Sequence, residues 1–175
     1  MAEPTGDKRI EGLVLEHEDA IAVLYDRFVP ELFRFARMML DSSQDAEDAV
    51  QEVFIGLVRT RQTLRDVANL RAYLFAALRR ETARLSASRK ARRSLALDQV
   101  GDVAEPKSLR RESEQTAPLE RALRGLPAEQ REVIALKIDG GLTFAEIACV
   151  LGISANTAAS RYRYALAKLR LALDG

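Results

Sequence analysis

The spacing of apolar residues is the feature that most constrains this chain, because they recur every three to four positions through most of its length. Ile21, Leu24, Tyr25 and Phe28 begin the pattern, which is the period of a helix with one buried side. Only nine Gly and five Pro interrupt the 175 residues, and Ala, Leu, Arg and Glu dominate, as in helices. We therefore predict an all-α fold made of two small helical domains joined by a flexible linker.

Breaks in the apolar pattern predict where the two domains lie. Residues 18–92 read as a helical bundle whose first helix is kinked or broken at Pro30. Residues 93–116 have no sustained period and carry Gly101 and Pro106, so we predict a linker with at most one loose turn near its start. Residues 117–173 are helical again. Because the linker is long, the two units need not touch.

Charge is strongly segregated along the chain, although the formal net charge is only +1. All charged residues from Asp41 to Glu52 are acidic. The stretches Arg79–Arg93 and Ser154–Arg170 are basic, and Glu81 is the only acidic residue within either of them. Two basic stretches on helical sequence indicate a polyanionic partner, most simply nucleic acid.

A helix-turn-helix motif begins at Thr143. Thr143 and Glu146 have the spacing of a capping box at a helix start, and Gly152 can supply the backbone conformation of the turn. The helix after Ser154 carries hydrogen-bonding side chains suited to base edges in a major groove, followed by residues that can hold the flanking phosphates. The first group is Asn156, Thr157, Ser160 and Arg161, and the second is Arg163, Tyr164 and Lys168.

Several classes of function are disfavoured by what the sequence lacks. One Cys and one His exclude a disulfide framework and a zinc site with three or four Cys/His ligands. We expect Cys149 to be a small buried thiol of the helix-turn-helix, and we expect no enzyme activity, metal or cofactor. No apolar run is long enough for a membrane span, and the first residues lack a signal-peptide pattern. These features predict a cytoplasmic protein with no membrane insertion.

Two motifs in this sequence resemble a known family. The stretch from Leu126 to Val133, LPAEQREV, together with the helix-turn-helix, resembles the C-terminal promoter-reading domain of sigma-70 family factors. The stretch from Asp45 to Phe54, DAEDAVQEVF, resembles the polymerase-binding helix in the second conserved region of that family. The order of the motifs, with a linker and no third domain between them, is similar to the extracytoplasmic-function (ECF) group of bacterial sigma factors, over residues 18–173.

The resemblance implies a role for each motif. Region 2, at 18–92, would bind bacterial core RNA polymerase through the acidic helix and would meet the −10 promoter element through the helix from Leu70. Region 4, at 117–173, would place Asn156, Thr157, Ser160 and Arg161 in the −35 major groove. The implied polymerase contacts are Asp45, Asp48, Gln51 and Glu52, and the implied −10 contacts are Gln62, Arg65, Tyr73, Arg79, Arg80 and Arg84. An anti-sigma factor is a further implied partner.

The chain departs from the family pattern at one place, and a different class of protein also fits part of the sequence. Family members commonly carry Asn and Asp after the aromatic-Leu pair that Tyr73-Leu74 resembles, where this chain has Arg80 and Arg84. The −10 specificity therefore stays open. A helix-turn-helix transcription regulator that binds DNA without polymerase would explain the second unit equally well. It would not explain an acidic and a basic helix in the first unit, and a protein-binding adaptor would leave Arg161 and Arg163 without a role.

Overall fold

The computed structural model describes residues 20–60, 67–97 and 117–174, and all regular structure in these ranges is helical. The predicted all-α class is confirmed. None of the described helices combines the length and the apolar character of a membrane span. In chain order the helices are α1 (Ala20–Met39), α2 (Ser43–Arg59), α3 (Leu70–Leu97), α4 (Ala117–Arg124), α5 (Ala128–Ile138), α6 (Phe144–Leu151) and α7 (Ala155–Asp174).

Helices α1, α2 and α3 pack on one another and form the N-terminal unit. Of the kink or break predicted at Pro30, the break is wrong, because α1 continues through this residue as one helix. Its buried stripe of Leu24, Phe28, Leu32 and Phe35 runs past the proline on both sides. Proline inside a helix costs roughly 3 kcal/mol because one backbone hydrogen bond is lost, and burial of this stripe offsets that cost.

The other two helices of the N-terminal unit begin at side-chain caps. Ser42 Oγ accepts a hydrogen bond of 3.2 Å from the Asp45 amide at the start of α2. Asn69 Oδ1 accepts one of 2.9 Å from the Ala72 amide at the start of α3. Helix α3 continues to Leu97, five residues beyond the predicted end at Arg92, so the start of the predicted linker is helical. The rest of the predicted linker, residues 98–116, lies outside the described residues.

Helices α4 to α7 form the C-terminal unit, in which α4, α5 and α6 each pack against α7. The chain breaks between α4 and α5 at Gly125-Leu126-Pro127 and after α5 at Asp139-Gly140-Gly141. The second break is tight. A Cβ atom on Gly140 would lie 2.5 Å from the Leu136 carbonyl oxygen, and Gly141 has a φ of 60°.

The two units contact each other, which their sequence did not require. Helix α1 packs on α5, and α3 packs on α6. Val133, Leu136, Leu142 and Ile147 of the C-terminal unit are buried in the same apolar cluster as the stripe of α1 and the buried side of α3. One apolar core therefore crosses the boundary between the units.

Polar contacts surround this shared core. Arg34 Nε donates to Asp139 Oδ1 at 2.9 Å, and Arg79 Nε donates to Glu132 Oε1 at 2.9 Å. Arg71 Nη1 donates to the Gly140 carbonyl oxygen at 3.2 Å while it also contacts Glu31 of α1. The turn after α5 is therefore bound by side chains from both α1 and α3.

Replacing Gly140 with Ala should destabilise the protein by about 1–3 kcal/mol, because the new Cβ would press against backbone rather than against a flexible side chain. The matched control is Gly56→Ala within α2, where nothing lies within 4 Å of the added Cβ. That control should stabilise by roughly 0.5–1 kcal/mol. Urea unfolding of both variants measures the difference, and equal effects would contradict the close packing at Gly140.

Asp139→Asn should leave the protein at least as stable as the wild type at pH 7. Burial raises the pKa of the Asp139 carboxyl above its ordinary value, and the hydrogen bond from Arg34 only partly opposes this. When the pKa of a carboxyl is higher in the folded than in the unfolded state, the free energy of unfolding falls as pH rises above the ordinary pKa. Below the ordinary pKa the group is protonated in both states and has no such effect. The variant keeps an oxygen that can accept from Arg34 but carries no charge.

The measurement for Asp139→Asn is the free energy of unfolding as a function of pH. Any advantage of the variant should shrink as pH falls below about 4, where Asp139 is neutral in both states. A loss of more than about 1 kcal/mol at pH 7 would show instead that the charge is stabilising.

Candidate nucleic-acid and protein interfaces

The helix-turn-helix is formed by α6, the turn at Gly152 and α7. Thr143 Oγ1 accepts from the Glu146 amide at 3.3 Å, and Glu146 Oε2 accepts from the Thr143 amide at 2.7 Å, which completes the predicted capping box. Gly152 has a φ of 66°, in the left-handed region that favours glycine. Ser154 Oγ then accepts from the Thr157 amide at 3.0 Å at the start of α7. Local sequence therefore fixes the angle at which α7 leaves the turn.

Helix α7 presents its polar residues on the side opposite its buried residues. Ala158, Ala165 and Leu169 are buried against the rest of the C-terminal unit. The seven residues predicted to contact DNA span an arc of about 160° around the helix axis. Of these, Asn156, Thr157, Arg163, Tyr164 and Lys168 are exposed, and Ser160 and Arg161 are partly buried. Arg163 Nη2 donates to Ser160 Oγ at 3.2 Å. The structure thus brings the predicted −35 residues together on one accessible face.

Arg161 differs from the other residues on this face because it is already paired within the unit. Its Nη2 atom lies 2.7 Å from Glu129 Oε2 of α5, and 26% of its side chain is exposed. It lies at the edge of the polar arc, next to the buried stripe of α7. Arg161 must therefore release or share Glu129 before its guanidinium can contact DNA.

Helix α3 carries the part of the predicted −10 surface that the structure describes. Tyr73, Arg80 and Arg84 lie within an arc of about 40° on the helical wheel, and Arg80 and Arg84 are exposed. Arg84 Nε donates to Glu81 Oε1 at 3.0 Å, and this hydrogen bond raises the pKa of the Arg84 guanidinium. Arg79 lies about 120° from this face and points to Glu132. The predicted loop contacts Gln62 and Arg65 lie outside the described residues.

Helix α2 exposes three of the four residues predicted to contact polymerase. Asp48, Gln51 and Glu52 are exposed on one face, with Gln44 Nε2 donating to Asp48 Oδ1 at 3.1 Å. Asp45 lies at the edge of this face, about 20° from Glu52, but it is engaged inside the molecule. Its carboxylate is paired with Arg89 of α3, and only 17% of its side chain is exposed. Asp45 therefore joins α2 to α3, and the accessible acidic surface begins at Asp48.

Two apolar residues extend the same face of α2 and were missed in the sequence. Ile55 is 43% exposed and Val58 is 56% exposed, and together with Asp48, Gln51 and Glu52 they cover an arc of about 120°. The sequence did mark these two residues: both are apolar, and neither has the spacing of the apolar stripe that packs on α1 and α3. A surface with apolar residues between acidic and amide groups is suited to binding protein.

The prediction that Cys149 is buried is wrong, because the thiol lies on the exposed side of α6. Within the described ranges, no group of three or more His, Cys, Asp or Glu side chains is placed to hold a metal ion.

Comparison with known families gives two matches, in the order in which the two units occur. Sigma-70 region 2 matches residues 24–94, and Sigma-70, region 4 matches residues 116–169. The first match covers α2 and nearly all of α1 and α3, and the second covers α4, α5, α6 and most of α7.

Two ECF sigma factors are similar to this chain over most of their own length. ECF RNA polymerase sigma factor SigL of Mycobacterium tuberculosis is 31% identical over 172 residues, which cover 95% of this chain and 96% of SigL. ECF RNA polymerase sigma factor EcfG of Rhodopseudomonas palustris is 32% identical over 154 residues, 84% of this chain and 82% of EcfG.

Solved structures support the same fold. The sigma factor RpoE of Bartonella quintana, in complex with the anti-sigma factor NepR, matches with a TM-score of 0.74 and 24% identity over 89% of this chain and 98% of that one. CnrH, in complex with the cytosolic domain of CnrY, matches with a TM-score of 0.69 and 26% identity, over 96% of this chain and 97% of CnrH. With SigL alike over nearly its full length and with both regions matched in order, this chain belongs to the extracytoplasmic-function group of the sigma-70 family.

Proposed function

We propose that this protein is a bacterial transcription initiation factor that binds core RNA polymerase, directs it to promoters through −10 and −35 contacts and assists promoter opening. The observation that carries the proposal is the presence in one chain of an exposed acidic and apolar face on α2 and of exposed polar and basic faces on α3 and α7. We assign residues 18–92 to region 2, 93–116 to the linker and 117–173 to region 4. The protein acts in the cytoplasm and is not an enzyme.

The polymerase contact in this proposal is the face of α2 from Asp48 to Val58. Asp48 and Glu52 offer carboxylates and Gln51 offers an amide, all exposed. Ile55 and Val58 add exposed apolar surface, which would be buried away from water on binding. Opposite charges steer two proteins together, and burial of the apolar residues then holds them. Asp45 supports this face through its pair with Arg89.

The −35 contact is the N-terminal half of α7. Asn156, Thr157 and Ser160 lie within the first two turns, where a recognition helix meets base edges. Arg163, Tyr164 and Lys168 follow on the same exposed arc and are suited to flanking phosphates. An Asn side chain can donate one hydrogen bond to adenine N7 and accept one from the adenine N6 amino group, so Asn156 is the strongest candidate for base recognition.

The −10 contact is the face of α3 that carries Tyr73, Arg80 and Arg84. A tyrosine ring can stack on an unpaired base, and the two guanidiniums can hold phosphates of an opened strand. We further propose an anti-sigma partner, as in the complex of RpoE with the anti-sigma factor NepR.

Reversing the charge of Glu52 should weaken binding to bacterial core RNA polymerase about tenfold, because Glu52→Lys would place a cation in the acidic face of α2. Co-elution and titration with core polymerase measure the effect. Glu129→Lys is the matched control, since it makes the same charge change on α5, in the other unit. Equal binding by both variants would show that the acidic face of α2 does not contact polymerase. If the wild type fails to bind polymerase but shifts duplex DNA alone, the protein is a polymerase-independent regulator.

Asn156→Ala and Lys168→Ala should affect promoter binding in different ways. With the reconstituted holoenzyme, Asn156→Ala should relax the preference at one base pair of the −35 element by about 1–3 kcal/mol. Lys168→Ala should weaken binding to all sequences evenly and reduce the salt dependence by roughly one counterion. Selection from a DNA library randomised at −35, at several salt concentrations, separates the two. Identical selection profiles would mean that Asn156 does not contact a base.

A further inference from the structure

A cavity of about 540 Å³ lies between the C-terminal half of α1 and helices α4 and α5. Its volume is within the range of small-molecule sites in proteins. Helix α1 lines it from Phe33 onward, α4 from Glu120 to Arg124, and α5 through Arg131. The wall shares no residue with the proposed polymerase and promoter contacts, so its composition calls for a separate explanation.

One part of the wall is apolar. Phe33, Met38 and Met39 of α1 and Leu123 of α4 line the cavity, and each of them is only partly buried. An apolar group in the cavity would remove the rest of this surface from water, which is favourable. Methionine side chains can also adapt to ligands of different shapes.

The remainder of the wall is rich in arginine. Four guanidiniums line the cavity, those of Arg34, Arg37, Arg124 and Arg131. Arg34 is engaged at 2.9 Å by Asp139, which lines the same wall. The other three arginines stand against two carboxylates, those of Asp41 and Glu120. The wall therefore keeps an excess of positive charge.

Arg131 has a donor that the protein does not use. Its Nη1 atom donates to the Arg124 carbonyl oxygen at 3.3 Å, at the end of α4. Its Nε atom is buried, and no atom of the described residues accepts a hydrogen bond from it. A buried charged donor without an acceptor is unfavourable. The edge of a guanidinium formed by Nε and a terminal nitrogen can bind a carboxylate or phosphate through two parallel hydrogen bonds.

The apolar and basic parts of the wall adjoin. Leu123 is the neighbour of Arg124, whose carbonyl oxygen receives the Arg131 hydrogen bond. Met38 also packs on Ile134, one turn along α5 from Arg131. A single small molecule can therefore contact both parts.

We infer that this cavity is a binding site for a small organic oxyanion. A phosphate or carboxylate group of the ligand binds the Nε edge of Arg131, and an apolar group packs on Phe33, Met38 and Leu123. Arg37 and Arg124 add positive charge around the head group. The site is independent of the proposed function, because it uses none of the residues assigned to polymerase or promoter.

Four probes test the site on the full-length chain. Phenyl phosphate and benzoate join an aromatic ring to two kinds of oxyanion, inorganic phosphate lacks the ring, and benzyl alcohol lacks the charge. Calorimetric titration measures affinity, and ¹H–¹⁵N NMR spectra show which amides shift. Phenyl phosphate or benzoate should bind with a Kd of about 1 mM or lower and should shift the amides of Met38, Leu123 and Arg131. Each probe that lacks one part should bind roughly tenfold more weakly.

Arg131→Met removes the guanidinium but keeps a side chain of similar length, and it should weaken binding of the oxyanion about tenfold. Arg131→Lys keeps the charge without the paired donors and should lie between the two. Arg121→Met is the matched control. Arg121 lies on α4 outside this wall, and its Nε also donates to a backbone carbonyl oxygen, that of Ala117, at 3.3 Å. The control should bind as the wild type does.

Thermal unfolding separates ligand binding from a structural role of Arg131. Without ligand, Arg131→Met should melt no lower than Arg121→Met, because Nε has no hydrogen bond to lose within the described residues. Saturating oxyanion should raise the melting temperature of the wild type and of Arg121→Met by about 2–4 °C, and that of Arg131→Met by less. If Arg131→Met does not fold, Arg131→Lys provides the same comparison.

Three results would overturn the inference. The first is no binding of either organic oxyanion at about 10 mM, or binding that inorganic phosphate or benzyl alcohol equals. The second is an equal loss of affinity in Arg131→Met and Arg121→Met, since net charge alone would then attract the anion. The third is a set of amide shifts confined to α3 and α7, which would place the anion on the proposed DNA-binding faces. Neither polymerase nor DNA is present in these measurements, so the proposed function is judged separately.

Discussion

The arrangement of the whole molecule depends on the turn Asp139-Gly140-Gly141, where α5 ends and the chain enters the helix-turn-helix. Gly140 has no room for a side chain, because a Cβ atom would lie 2.5 Å from the Leu136 carbonyl oxygen. Arg34 and Arg71 then bind this turn from two different helices. Because the turn is fixed on the N-terminal unit, the positions of α5 before it and α6 after it follow, and the apolar core closes between the units.

The same turn shows why ion pairs are a poor guide to what holds the units together. Burial raises the pKa of the Asp139 carboxyl even though Arg34 donates a hydrogen bond to it. The desolvation of the carboxylate therefore outweighs the stabilisation of its charge by Arg34. The stabilising part of the contact is the apolar area around Leu136, Leu142 and Ile147. The polar contacts define how the units are oriented, and the apolar core supplies the free energy.

Local features of this protein could be predicted from its sequence, and long-range ones could not. The capping box at Thr143 and Glu146 and the turn at Gly152 depend on neighbours within four residues, and all were predicted. The path of α1 through Pro30 was not, because packing against α2 and α3 overrides the local preference of proline. The Arg34–Asp139 pair joins residues 105 positions apart, and nothing in the sequence marks them as partners.

In the candidate interfaces, too, some features follow from local sequence and others depend on long-range packing. That Asn156, Thr157 and Lys168 lie on one exposed arc follows from helical period alone. That Asp45 is paired with Arg89, and Arg161 with Glu129, depends on how separate helices cross. Sequence could therefore predict the faces of the helices but could not predict which charged residues on those faces are already engaged inside the molecule.

The hydrogen bond between Asn69 and Glu146 has a consequence for the two helices that it joins. Each of these side chains also caps a helix, but with a different atom: Asn69 uses Oδ1 for the Ala72 amide, and Glu146 uses Oε2 for Thr143. The bond across the boundary uses only Asn69 Nδ2 and Glu146 Oε1. When it breaks, the starts of α3 and α6 keep their capping hydrogen bonds, so neither helix loses stability at its first turn. Loss of this bond alone would therefore not unwind the start of either helix.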